Sequence, residues 1–331
     1  MPEQLTELHL HMGGAVAPHV LFTLAHEQGF KLPVKNYFEF VELVTSNPNK
    51  VKSLEDYIRI MHEWTEKIQS SPAAIERSVY EVLAKEYRGS RVTRMELRFN
   101  PMKRNLGGER DLDHIIHAAL RGLDRVCLEY GIRGGLIFCL AREFDADTNE
   151  IIVDKAIKYA DRGVLGIDLA GTESHNLELQ PESARRFAGI FERAREAGLK
   201  TTVHTGETPH TEGEGVMAAI RHLKPQRIGH GIRAAYSPEA MKMIREEGVT
   251  LEICPTSNLH TRAVRDLEEM RFVLDTFKSE SIRFTINTDA TYMLATDLRR
   301  EVELLSKAGI LDAGDVTRCF ETAEEASFLR G

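Results

Sequence analysis

The chain has 331 residues, of which 42% are hydrophobic and 28% charged, and a formal net charge of -8. This composition is typical of a folded globular protein and argues against disorder. The negative charge argues against a surface for nucleic acid or for an anionic membrane, because phosphate binding usually needs a basic excess on one face. We therefore expect small-molecule partners.

The cysteines and the N-terminal segment indicate a reducing compartment. The four cysteines are far apart and none belongs to a C-x-x-C pair, which argues against a disulfide framework or a thiolate zinc site. The segment MPEQLTELHLHMGG lacks the basic and apolar regions of a signal peptide, and no stretch approaches the roughly 20 apolar residues that span a bilayer. We expect a cytoplasmic protein without a membrane partner, and the sequence leaves its oligomeric state open.

Short β-rich runs alternate with longer helical patterns along the chain, which is typical of parallel βαβ units. The pattern predicts eight strands, at residues 6–12, 92–100, 134–140, 165–170, 200–204, 227–230, 249–254 and 283–287. Segments such as 181–197 and 238–247 have apolar residues at helical spacing and are predicted as outer helices. Eight such units predict a single TIM (β/α)8 barrel domain over residues 1–331.

The stretch 21–87 is too long for one connection between strands and carries several helical runs. It predicts extra helices between strands 1 and 2, placed over the barrel mouth as a lid. In a TIM barrel the chemistry lies at the carboxyl ends of the strands, at the face such a lid would cover.

Polar residues end several of the predicted apolar strands. His9 and His11 are two residues apart on the first strand, so their side chains share one face. Strand 5 ends in VHTGE with His204, and strand 8 ends in INTD with Asp289. A buried, hydrogen-bonded histidine or a capping aspartate explains each residue alone as well as a functional role does. Together they predict a metal site.

Three imidazoles and a carboxylate suit zinc before other divalent ions and leave a position for water. A hydrolytic reaction also needs a general acid. Glu207 follows His204 by three residues, at the predicted start of the next helix, and is the candidate.

The runs LHLHMGGAV, VHTGE, RIGHGIRA, LEICPTSN and INTDA occur in this order from the first strand to the last. They resemble the motif set of the adenosine deaminase family, within the metal-dependent amidohydrolases, over essentially the whole chain. The resemblance implies one Zn²⁺ per chain, held by His9, His11, His204 and Asp289. It also implies hydrolysis of a 6-aminopurine nucleoside or derivative to the 6-oxopurine, with release of ammonia.

The same resemblance implies roles for three further residues. Glu207 would protonate the purine N1, and His230 would orient or deprotonate the attacking water and steady the charge of the tetrahedral adduct. Gly171 resembles the glycine whose backbone meets purine N3. The run from Cys254 to Asn258 is predicted as a structural turn, in which Ser257 and Asn258 support the site.

Two positions depart from the family pattern. Gly13 stands where an acidic residue contacts the ribose 5′-hydroxyl, and Ala290 stands where a second aspartate contacts purine N7. Gly13 is expected to admit larger or anionic 5′ groups, as in branches that act on 6-amino-6-deoxyfutalosine. The pair is expected to favour a 5′-modified aminopurine nucleoside over plain adenosine.

The candidate partners of an anionic 5′ group are basic residues on and after the second strand, namely Arg98, Lys103 and Arg104. The alternatives are a salt bridge inside the barrel for Arg98 and a solvated loop for the other two. Two further functions stay open at this point. One is hydrolysis of a different C–N or ester bond by the same site, and the other is a barrel kept only for binding.

Overall fold

The computed structural model describes residues 4–47, 49–106 and 108–329, and its centre is one sheet of parallel strands. Neighbours in the chain are neighbours in the sheet, from β1 to β8. The strands are β1 (Leu5–His11), β2 (Val92–Phe99), β3 (Arg133–Ala141), β4 (Val164–Ala170), β5 (Lys200–Thr205), β6 (Arg227–His230), β7 (Thr250–Ile253) and β8 (Phe284–Ile286). A parallel bridge between Leu10 and Asp289 joins the residues after β8 to β1 and closes the predicted TIM barrel.

Helices connect the strands and surround the barrel. Between β1 and β2 lie α1 (Met12–Ala15), α2 (Pro18–Glu27), α3 (Tyr37–Val44), α4 (Leu54–Ile60), a π-helical turn (Met61–Thr65), α5 (Glu66–Ile68) and α6 (Pro72–Ser90). The later connections contain α7 (Leu112–Tyr130), α8 (Ala146–Lys158), α9 (Pro181–Glu196), α10 (Glu212–Leu223), α11 (Pro238–Glu246), α12 (Pro255–His260) and α13 (Leu267–Ser279). After β8 follow α14 (Leu298–Lys307) and α15 (Ala313–Ala326). None of these helices, within the described ranges, is both long and apolar enough to cross a bilayer.

Local sequence sets where the helices begin. The side chain of Ser71 accepts a hydrogen bond from Ala74 N, and Pro72 occupies the first turn of α6, where a missing N–H does no harm. Pro181 and Pro238 begin α9 and α11 in the same way, at the residues where the apolar periodicity predicts the helices to start.

The barrel interior below the strand ends is ionic rather than apolar. Arg227 lies across it, with Nη2 2.6 Å from Glu96 Oε2 and Nε 2.6 Å from Glu252 Oε1. All three side chains are almost completely buried. Buried charges persist only when they are paired, so this layer links β2, β6 and β7 by interactions that a truncation of any one member would break.

The segment of α4, the π-helical turn and α5, here called the lid, forms one wall of the pocket at the strand ends. A small apolar cluster fastens it to the residues after β8; its members are Val51, Leu54, Tyr57, Ile60, Ala290, Met293 and Leu294. π-helical turns often occur at functional sites. Here the turn brings Met61 and His62 to the pocket.

Candidate metal centre and active site

The predicted metal ligands meet at one point of the barrel rim. Nε2 of His204 lies 3.0 Å from Nε2 of His9 and 3.1 Å from Nε2 of His11. Oδ1 of Asp289 lies 3.8 Å from Nε2 of His9 and 3.7 Å from Nε2 of His11. Ligand atoms about 2.0–2.2 Å from one tetrahedral ion are about 3.3 Å apart, so the four donors fit a single transition metal.

The surroundings of His9 and His11 favour the neutral form of both rings, which is the form that binds a metal. Burial, and then the charge of Arg98, lowers the pKa of His9 well below its usual value. Burial, and then the neighbouring His204, does the same to the pKa of His11. Gly229 lies against two of the rings, since a Cβ there would be 3.0 Å from Cε1 of His9 and 3.2 Å from Cγ of His204. A larger residue at this position would displace the ligands.

Two buried carboxylates lie behind the histidines. Oδ1 of Asp168, on β4, lies 3.0 Å from Nδ1 of His204, and Oε2 of Glu252, on β7, lies 2.8 Å from Nδ1 of His9. Each contact leaves the Nε2 atom of that ring directed at the shared centre. Carboxylate–histidine pairs of this kind fix the tautomer and raise the basicity of metal ligands.

Arg98 connects the two carboxylates. Its Nη1 donates to Asp168 Oδ2 and its Nη2 donates to Glu252 Oε2, both at 2.9 Å. Nη2 also donates to the carbonyl of Leu8 at 2.6 Å, and Arg98 has no exposed surface. The structure therefore favours the barrel ion pair over the substrate contact expected for Arg98, because an incoming anion would have to displace one of these partners.

Glu207 lies beside the metal-binding residues but is not one of them. Its Oε2 lies 3.5 Å from Nε2 of His230, and its Oε1 accepts a hydrogen bond of 2.8 Å from Oγ1 of Thr261. Burial raises the pKa of Glu207 well above its usual value, and the charges of Glu173 and Asp289 raise it further. Burial and these charges therefore favour the carboxylic acid form of Glu207, which is the form that can give a proton.

The backbone around Glu207 differs from the prediction in one respect. Glu207 lies in the loop after β5, because the following helix begins only at Glu212. Glu173 holds this loop, accepting from Glu207 N at 2.9 Å and, through its other oxygen, from Thr208 N at 2.6 Å. A buried carboxylate, rather than a helix N-terminus, thus positions the acid.

His230 is oriented by the segment predicted as a turn, which forms the short helix α12. The amide of Asn258 lies with Oδ1 3.3 Å from the backbone N of Cys254 and Nδ2 3.0 Å from Nδ1 of His230. A neutral imidazole that accepts at Nδ1 carries its proton on Nε2. Burial lowers the pKa of His230 to about 3, so the neutral form is the relevant one.

An unusual backbone conformation occurs at the end of β6 and just after β8. His230 has a φ of 62° and Asp289 a φ of 63°, both in the left-handed region that residues other than glycine rarely adopt. Such conformations cluster where surrounding structure holds a side chain in a required direction. The side chain of Asp289 also accepts a hydrogen bond of 2.5 Å from Oγ of Ser257.

Gly171 lies at the rim of the pocket just after β4. Its φ of 103° is one that favours glycine, and a Cβ there would be 2.5 Å from Oε2 of Glu143. A side chain at this position would therefore collide with Glu143, and Gly171 remains the residue predicted to meet purine N3.

Side chains of the lid and the β2 loop fill the space beside Gly13. A Cβ at Gly13 would lie 3.4 Å from Sδ of Met61, 3.5 Å from Nη2 of Arg104 and 3.6 Å from Cγ of Glu66, which are ordinary contacts. The larger 5′ group expected at Gly13 would therefore contact Met61, Glu66 and Arg104.

The basic residues Lys103 and Arg104 line the pocket but are already paired. Nη1 of Arg104 lies 2.9 Å from Oε1 of Glu66, and Nζ of Lys103 donates to Glu143. Burial acts to raise the pKa of Glu66, but the charges of Arg104 and Lys103 lower it to about 2. The solvated loop considered for these residues is wrong for Arg104, which is 1% exposed.

Ala290 does not line the pocket wall formed by the other site residues. Its Cβ would be 2.3 Å from a Cβ placed on Gly14, and it packs in the apolar cluster that fastens the lid. Ala290, which departs from the family pattern, is therefore part of the contact between the lid and the residues after β8.

The site residues that escaped the sequence analysis include Tyr57, Glu66, Glu143, Asp168, Glu173, Glu252 and Thr261. Tyr57 reaches the metal centre from the lid, where its hydroxyl donates to Oδ2 of Asp289 at 3.2 Å. Glu252 lies within the run LEICPTSN, and a charged residue inside an apolar strand is a signal that could have identified it.

Comparison with known proteins agrees with this geometry. The sequence model described as Adenosine deaminase matches residues 4–331. An adenosine deaminase of Clostridium botulinum is 32% identical over 322 residues, which cover 97% of this chain and 92% of the relative. The N6-mAMP deaminase of Arabidopsis has a similar structure, with a TM-score of 0.82 at 24% identity and coverage of 99% and 94% of the two chains.

A third similar protein is an amidohydrolase of Burkholderia ambifaria, whose structure contains bound zinc. The TM-score is 0.85 at 21% identity, with 99% of this chain and 86% of the other covered. The fold and the relatives together define a hydrolytic deaminase built on a TIM barrel, in the amidohydrolase superfamily. The chain belongs to the adenosine deaminase family.

Proposed function

We propose that this protein is a zinc-dependent enzyme that converts a 6-aminopurine nucleoside or a derivative of one to the 6-oxopurine, with release of ammonia. The observation that carries the proposal is the buried carboxyl group of Glu207 at 3.5 Å from His230, beside His9, His11, His204 and Asp289, whose donor atoms lie 3.0–3.8 Å apart. A site for hydrolysis of an ester would have little use for an acid placed to protonate a ring nitrogen.

The residues that would hold the metal are His9, His11, His204 and Asp289, one ion per chain. Zinc suits this donor set, and when bound it would lower the pKa of a water ligand and supply a nucleophile at neutral pH. Asp168 and Glu252 keep the rings of His204 and His9 turned toward the shared centre.

Glu207 supplies the proton for the purine. A protonated N1 draws electrons from C6 and makes that carbon electrophilic toward water. The hydrogen bond from Thr261 to Oε1 leaves Oε2 to face the substrate and His230. Exclusion of water by burial keeps the carboxyl protonated until a basic ring nitrogen approaches.

His230 acts as a hydrogen-bond donor at the reacting carbon. Because Asn258 occupies Nδ1, the proton on Nε2 points to the region beside Glu207 and can hold an oxygen that develops negative charge. This tautomer favours a His230 that orients the water and steadies the adduct over a His230 that deprotonates the water. Backbone N–H of Gly171 would meet N3 on the opposite ring edge.

The sugar of the nucleoside would lie toward Gly13, Glu66, Lys103 and Arg104. Two cations and two carboxylates balance each other there, so this end of the pocket favours a neutral hydroxylated group. A 5′-anionic substrate such as an aminodeoxyfutalosine-like nucleoside would have to take Lys103 or Arg104 from its present partner.

Ammonia release from adenosine, 5′-methylthioadenosine, aminodeoxyfutalosine and AMP tests the proposal. Glu207→Gln should keep the fold and the metal yet lower kcat by about 10²–10⁴, the usual contribution of a general acid. Glu214→Gln, an exposed residue on α10, is the matched control and should be unchanged. Normal turnover in Glu207→Gln, or no ammonia from any aminopurine, would refute the assignment.

A further inference from the structure

Tyr57 brings a hydroxyl group from the lid to the metal-binding end of the pocket. Its side chain is 2% exposed and packs in the apolar cluster of the lid, and it lines the same pocket as Glu207 and His230. The hydroxyl lies 3.2 Å from Oδ2 of Asp289. The reaction described above gives this group no role.

Asp289 does not depend on Tyr57 for its orientation. Oγ of Ser257 donates to the same Oδ2 atom at 2.5 Å, whereas the bond from Tyr57 is 3.2 Å long. O–H···O bonds are usually about 2.7–2.8 Å, so the bond from Tyr57 is the weaker of the two. The phenol can therefore exchange this bond for one to a ligand, and its O–H group is the donor in either bond.

The proposed reaction fixes where a purine edge must lie. C6 faces the metal-binding residues and N1 faces Glu207, so N7 lies on the other side of C6. In the proposed reaction Glu207 takes N1 and the backbone of Gly171 takes N3. Tyr57 is attached to Asp289, one of the proposed metal ligands that C6 faces. Its hydroxyl is therefore a donor beside C6 for the ring edge that Glu207 and Gly171 leave open, where N7 lies.

We propose that the hydroxyl of Tyr57 donates a hydrogen bond to N7 of the bound aminopurine and selects for that ring nitrogen. The inference rests on the proposed function and deepens it. Ala290, the residue after Asp289, has only a methyl group and packs against Gly14 and the lid. A buried ring nitrogen needs a donor, and Tyr57 is the hydroxyl that the lid places there.

The test compares adenosine with 7-deazaadenosine, in which a C–H replaces N7, on the wild type and on Tyr57→Phe. Phenylalanine keeps the ring in the lid cluster and removes only the hydroxyl. We expect kcat/KM for adenosine to fall about 10- to 100-fold, the range for losing the sole partner of a buried polar group. The value for 7-deazaadenosine should change by less than about 2-fold. Tyr37→Phe, on α3 and outside the pocket, is the matched control.

A binding measurement keeps the test independent of turnover. Calorimetric titration with the products inosine and 7-deazainosine should show weaker binding of inosine by Tyr57→Phe and an unchanged affinity for 7-deazainosine. The zinc content and the melting temperature of the variant should match those of the wild type.

Three results separate the possible failures. Equal losses for both bases, or loss of zinc from Tyr57→Phe, would show that Tyr57 only supports Asp289 and would overturn this inference while leaving deamination intact. Unchanged adenosine kinetics and inosine binding would overturn it as well. A wild type that releases no ammonia from adenosine or any 5′-modified adenosine would overturn the proposed function, and this inference with it.

Discussion

Glu66, on the lid, places a carboxylate beside Gly13. The acid comes from the lid rather than from the segment after β1, and its Cγ would touch a Cβ at Gly13. Arg104, which is 1% exposed, has Nη1 2.9 Å from Glu66, and its Nε has no hydrogen-bond partner among the described residues. Glu66 is therefore the carboxylate whose removal would leave Arg104 without its counter-charge.

Glu66→Gln should change which 5′ group the enzyme accepts. The variant leaves Arg104 without a counter-charge, so the pocket gains one positive charge where the sugar would end. We expect kcat/KM for AMP relative to adenosine to rise at least about 10-fold, since opposite charges within a few ångströms interact by more than 1 kcal/mol in a partly buried site. Parallel assays of the two substrates measure this ratio.

The control for Glu66→Gln is Glu63→Gln, an exposed residue in the preceding π-helical turn. It makes the same chemical change on the lid without reaching the pocket. An unchanged AMP-to-adenosine ratio in Glu66→Gln would mean that this end of the pocket does not contact the 5′ group.

A second test at the scale of one residue concerns Asp168, which contacts the proposed metal ligand His204. Asp168→Asn removes the charge that faces both Nδ1 of His204 and the guanidinium of Arg98. We expect zinc affinity to fall about 10- to 100-fold, as is usual for the residues behind metal ligands. Competition with a chromogenic chelator gives the affinity. Asp154→Asn, on the exposed side of α8, should behave as the wild type, and an equal affinity in Asp168→Asn would contradict the role given to this contact.

At the scale of elements, α14 supports the helix that orients His230. Glu301 on α14 accepts from the backbone N of Thr256 at 3.0 Å, at the start of α12, and from Oγ1 of Thr296 at 2.6 Å. α12 in turn carries Ser257 and Asn258, which contact Asp289 and His230. One buried carboxyl group thus links an outer helix to the site.

Glu301 should make the stability of the protein depend on pH. Burial raises the pKa of Glu301 from 4.5 to about 7 in the folded state, so folding favours the protonated form. The stabilisation from this proton is complete below about pH 4.5 and is lost as the pH rises to about 7. Relative to Glu301→Gln, the wild type should lose about 1–3 kcal/mol of unfolding free energy between pH 5 and pH 8.

Urea unfolding at several pH values measures this difference, with Glu303→Gln on the exposed side of α14 as the control. A wild type and a Glu301→Gln variant with parallel pH profiles would show that Glu301 has the same pKa in both states.

The strand ends were predictable because each is an apolar run that stops at a polar residue. That pattern located His204 and Asp289 without any knowledge of contacts. Tyr57 and Glu66 could not be found in this way, because helical periodicity identifies a buried face but not the object it faces. The partners of Glu252 and Asp168 could not be found either, because the pattern does not say which side chains of different strands meet inside the barrel.

At the scale of the whole molecule, zinc and folding should be coupled. A ligand that binds only the folded state stabilises it, by about 4 kcal/mol when its concentration is 1,000 times its Kd. We expect removal of zinc to lower the melting temperature and its readdition to restore it. Scanning calorimetry with elemental analysis should show one unfolding transition and about one metal per chain. Two separate transitions would contradict the single domain proposed for residues 1–331.

The bridge between Leu10 and Asp289 closes the barrel at the candidate metal centre. His9 and His11 lie on β1 and Asp289 follows β8, so the proposed site takes ligands from the first and the last strand of the barrel. Closing the barrel and completing the proposed site are therefore the same event. We expect a state in which β8 has separated from β1 to lack the carboxylate ligand, so that opening of the barrel at this seam and loss of the ion would occur together.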